Sequence, residues 1–97
     1  MSNTEKDKEF YEMADAYIAL ANKQSKNTEQ GKVSATFLYA AARFNIFLVA
    51  TGATSADDFA AKKENIFEYF TTEYKKMLEE HFVDYQANFE KYLGKKK

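Results

Sequence analysis

Apolar side chains recur three and four residues apart at Phe10, Met13, Ala14, Tyr17, Leu20 and Ala21, with Glu12, Ala16, Ala19 and Lys23 on the far side. At about 100° per residue this spacing gathers one apolar stripe, the mark of a surface helix. It predicts a first helix over about 4–26. Ser2, followed three residues later by Glu5, reads as a capping box at its start. The polar run "KQSKNTEQG" then breaks the pattern. Asn27 or Thr28 is the candidate cap for a second helix over about 29–50.

That second segment, "VSATFLYAAARFNIFLVA", has almost no polar side. A helix apolar all round is expected to be surrounded. Thr51 and Gly52 supply its stop, with Gly52 expected in the left-handed position. Ser55 and Asp58 form a second capping box. A third, long helix is predicted over about 56–93, continuous through Thr71 and Thr72, ending at Gly94 with residues 94–97 as a basic tail. Its stripe runs Ile66, Phe70, Tyr74, Met77, His81, Tyr85, Asn88, Tyr92, an eleven-residue period. No Val/Ile/Thr alternation bounded by turns predicts a strand. The expected fold is therefore all-α, a single domain over 1–97: an antiparallel three-helix bundle with an extended third helix. By rise alone that helix reaches roughly 55 Å against roughly 33 Å for the second. An overhang carrying Phe82, Tyr85, Phe89 and Tyr92 would then need a cover, which predicts a homodimer with these four residues in its interface.

Composition narrows the function. The 97 residues hold no proline, no cysteine and no tryptophan, and 45% are hydrophobic. Without cysteine there is no disulfide, thiolate nucleophile or thiolate zinc site. A net charge of −1 draws neither nucleic acid nor anionic lipid, and no partner of either kind is expected. The first residues do not read as a signal peptide, so a cytoplasmic location is expected. Residues 33–50 are barely long enough to span a bilayer, and Arg43 at their middle costs at least about 2.5 kcal/mol there, so no span is expected.

Arg43 is the one charge inside the apolar segment. Three readings follow, the third being a contact with a different protein partner. In the first, it is half-buried and paired with Asp15, Glu68 or Glu73, setting helix register. In the second, Arg43 with Tyr39 and Asn45 anchors a small anion or carboxylate in an aromatic-lined crevice. His81, the single histidine, lies on the apolar stripe and is expected to be shielded. One histidine and no Glu-x-x-His exclude a paired di-iron site, so neither metal nor cofactor is expected. No phosphate loop, nucleophile elbow or arranged acid–base pair is present, and no enzyme activity is expected.

The segments "FYEMADAYIALANKQ", "GKVSATFLYAAARFN" and "EYFTTEYKKMLEEHFVDYQANFEKY" together resemble a family of small proteobacterial all-helical proteins of unknown function. The resemblance extends from about Glu9 to Tyr92 and implies a stand-alone bacterial protein, with no catalytic residue to carry over. The function expected is a non-enzymatic, self-associating interaction module; the alternative is the ligand binder built on Arg43.

Overall fold

A computed structural model of the chain describes residues 5–94. Every regular element among them is helical: α1 Lys8–Gln24, α2 Gln30–Thr51, α3 Ala56–Ala61, α4 Lys63–Ala87 and α5 Phe89–Leu93. The all-α class holds, but five helices replace the expected three, and a three-helix bundle is not confirmed. The chain divides into two compact units, residues 1–52 and 53–97.

In the first unit α1 starts later than expected. Asp7 is its cap, its carboxylate accepting from the Phe10 amide at 2.9 Å. The proposed Ser2 cap lies outside the described residues. α1 closes at Ser25, whose backbone N–H and Oγ both donate to the Ala21 carbonyl, at 3.0 and 2.9 Å. The connection to α2 is short, and the two helices touch. Glu29, not Asn27 or Thr28, is the residue before α2, and it caps with no side-chain bond. Its carbonyl instead takes the Lys32 and Val33 amides at 3.0 and 3.1 Å. α2 stops at Thr51 as expected. Gly52, however, has φ −92°, an ordinary right-handed conformation, so its glycine freedom is not used there.

The second unit opens on the expected cap. The Asp58 amide donates to Ser55 Oγ at 3.0 Å, while the Asp58 carboxylate accepts from the Thr54 amide, also at 3.0 Å. The reciprocal bond thus reaches one residue further back than in the standard box. The predicted long helix is interrupted twice, at Lys62 and at Asn88. It is not interrupted at Thr71, whose hydroxyl bonds the Phe67 carbonyl at 2.8 Å within an unbroken turn. At Asn88 (φ −119°, ψ 28°) the side-chain amide and the backbone N–H both donate to the Asp84 carbonyl at 3.0 Å. Sharing that acceptor distorts the turn without ending it, since the Tyr92 amide still bonds the Asn88 carbonyl at 2.9 Å. Gly94 ends α5 at φ 65°, the left-handed position that favours glycine. Of the basic tail, residues 95–97 lie outside the described residues.

Burial is sparse. Val33, 6% exposed, is the one buried residue among those described. It sits beside a shallow concavity of about 380 Å3 at the α1–α2 connection, lined with Gln24, Asn27, Thr28, Lys32 and Thr36.

Candidate functional site

The face of α2 around Arg43 comes first. Tyr39, Arg43 and Phe47 lie one turn apart in a single column, because four-residue spacing returns to nearly the same side of a helix. Tyr39 is 69% exposed and Phe47 62% exposed, and Arg43 between them is exposed too. The Phe44 ring lies 6.5 Å from that of Phe47 and is equally open. Arg43 makes no ion pair among the described residues, which corrects the expectation of a half-buried, paired arginine. The expectation treated an apolar helix as a covered one. Asn45, two residues on, is half-buried and lies on nearly the opposite side of α2. The three residues of the expected ligand site are therefore not gathered: Tyr39 and Arg43 share a face, Asn45 does not.

The second face belongs to α4 and α5. Phe82 is 71% exposed, and Tyr85, Phe89 and Tyr92 are exposed with it. The rings of Tyr85 and Tyr92 lie 5.0 Å apart. Between them Asp84 acts as a hub. Its carboxylate accepts from Asn88 Nδ2 at 3.0 Å and from the Tyr92 hydroxyl at 3.2 and 3.3 Å. Donation to that anion holds the Tyr92 hydroxyl above the ordinary tyrosine pKa, with a smaller push from burial. The helix breaks at Lys62 and Asn88 leave Phe82 and Tyr85 on α4 and place Phe89 and Tyr92 on α5. His81 is exposed, not shielded as expected; the stripe it belongs to is open from Tyr74 to Tyr85 and half-buried at Ile66, Phe70 and Asn88.

At the start of α3 the Asp58 carboxylate holds two donors, the Thr54 amide and Lys62 Nζ, the latter at 3.3 Å. The amide bond, then the lysine bond, keep its carboxyl below the ordinary aspartate range. This cluster serves the cap. Among the described residues no three His, Asp or Glu side chains stand close enough to hold a metal ion. The α1–α2 concavity was missed in the sequence. Its signal is the polar run Gln24–Thr28 followed by Lys32, and its shape depends on how two helices meet. α2 is the one helix among the described residues long and apolar enough to cross a membrane.

A family model described as "protein of unknown function (DUF3144)" matches residues 10–86. The chain belongs to this family. The match takes in the whole of α2 and α4 as far as Gln86, with Phe82 and Tyr85, and stops short of Phe89 and Tyr92 on α5. The protein NB7890A from Shewanella sp., solved by NMR, is similar over 99% of this chain and 100% of its own, at 39% identity and a TM-score of 0.76. A comparison with curated proteins gives no match.

Proposed function

We propose that this DUF3144 protein is a non-enzymatic, self-associating helical module that acts as a homodimer in the cytoplasm. One observation carries the reading. Large apolar side chains stand exposed on α1, α2, α4 and α5, while Val33 alone is buried among the described residues. Burying one valine contributes about 1.5–3 kcal/mol. Ordering each residue of backbone costs about 1–2 kcal/mol. In proteins most helical stability comes from packing an apolar face against other structure. The chain therefore has far more apolar surface to cover than its described contacts cover. A second copy is a cover available wherever the protein is made, and symmetric pairs are the commonest assemblies of soluble chains.

The non-enzymatic part of the reading rests on placement. His81, Asp84, Tyr85 and Tyr92 stand on an open helix face, whereas catalytic groups work in water-excluding clefts. The cytoplasmic part rests on α2, whose central Arg43 opposes insertion into lipid.

Sedimentation equilibrium from low to high micromolar concentration tests the proposal, with flotation against phosphatidylcholine–phosphatidylglycerol vesicles beside it. The expected result is a species of twice the 11.2 kDa chain mass that stays in solution. A species of 11.2 kDa throughout, free or vesicle-bound, overturns it.

A further inference from the structure

We infer that the basic, aromatic face of α2 in one copy docks on the acid-edged aromatic face of α4 in the other. The inference rests on the homodimer reading and specifies its interface.

Charge sets the pairing. α2 carries Lys32 and Arg43 and no carboxylate over its whole length. α4 carries six carboxylates against three lysines. Two α2 helices facing each other would bring cations together with nothing to neutralise them, and like charges across an interface cost association. An α2–α4 contact between copies gives Arg43 its counter-charge. On α4, Glu73, Glu80 and Asp84 fall within about 40° of one another at roughly 100° per residue, along one edge of the stripe that includes Tyr74, Met77 and Tyr85. Asp84 is engaged by Asn88 and Tyr92. Glu73 holds Lys76 at 3.0 Å on the open surface, a kind of pair worth about 0–1 kcal/mol and readily exchanged for a guanidinium. Glu73 and Glu80, about 20° apart around α4, are the acids assigned to Arg43.

Composition and area agree. An arginine between a tyrosine and a phenylalanine at one-turn spacing is the residue set in which interface binding energy concentrates. Tyr39, Phe44 and Phe47, within about 100° of Arg43 around α2, are 62–69% exposed. At about 200 Å2 per ring they leave open roughly 390 Å2, about half of the ~800 Å2 per partner of a stable complex. A two-fold pair makes the contact twice, since the α2 of each copy meets the α4 of the other.

The arrangement is tested by charge exchange between copies. Arg43→Glu sets carboxylate against carboxylate at both contacts. Glu73→Lys with Glu80→Lys sets cation against cation. Each variant alone is expected to associate at least tenfold more weakly than the unaltered chain. An equimolar mixture is expected to return to twice the chain mass, because glutamate at 43 then meets the lysines while Arg43 meets the native acids. Where a variant loses helix by circular dichroism, recovery of helix on mixing reads the same event. A dimeric unaltered chain whose variants stay dimeric alone, or fail to recover on mixing, overturns this interface and leaves the homodimer standing. A monomeric unaltered chain overturns the homodimer instead.

Discussion

The Tyr92 hydroxyl donates to the Asp84 carboxylate across Asn88, the residue that interrupts the helix between them. Eight positions separate donor and acceptor, two turns and a little more, so the bond crosses the distorted turn like a strap. Asn88 contributes a second bond to the same carboxylate. The five residues of α5 are too few to be stable as an isolated helix. Their continuity with α4 rests on the shared turn and on this strap.

Removing the hydroxyl should loosen α5 and spare α4. Tyr92→Phe is expected to speed amide exchange at residues 89–93 with little change before Asp84, read by NMR hydrogen exchange. The strap also has a pH sense. The folded Tyr92 pKa lies above the unfolded value of 10.0, so the neutral hydroxyl is the form that folding favours. Its contribution is fully present below that value and disappears as pH rises through the folded pKa. Absorbance titration should show Tyr92 ionising at higher pH in the native chain than in Asp84→Asn.

The Asp58 cluster runs in the opposite direction. Its folded pKa is depressed below 3.8 by the Thr54 amide and by Lys62. Its stabilising contribution is present above the unfolded value and disappears as pH falls through the folded one. Acid should therefore fray the start of α3, and Asp58→Asn should flatten that acid response. Ser55→Ala removes the other half of the cap and should cost about 1 kcal/mol, measured by urea denaturation at neutral pH.

Val33 lines the concavity at the α1–α2 connection and is the best-covered side chain described. Val33→Ala should lower stability by about 1–2 kcal/mol, the loss of two buried methyl groups. Thermal melting by circular dichroism measures it. An exposed apolar residue such as Leu38 should show a smaller change in the dissociated chain.

Phe82→Asp and Phe89→Asp place charge on the open stripe of α4 and α5. Each should weaken self-association at least tenfold, or about 1.4 kcal/mol, in sedimentation equilibrium. Helix content at concentrations where the dimer persists should be nearly unchanged.

What the sequence by itself determined is local. The helical class, the stop at Thr51, the Ser55–Asp58 cap and the end at Gly94 follow from neighbours within four residues, because backbone capping and turn chemistry act over that range. The distortion at Asn88 is also local, yet it was hidden: an asparagine inside a periodic stripe does not announce which carbonyl its amide will take. Three-dimensional structure alone decided exposure. Arg43 and His81 both stand on apolar stripes, and a stripe records that a face has something to cover without recording what covers it. Here the described contacts cover Val33 and leave Arg43, His81 and the rings beside them open. The reason is that burial depends on contacts between residues distant in sequence or in different molecules, whereas periodicity reports only the side of a helix on which a residue falls.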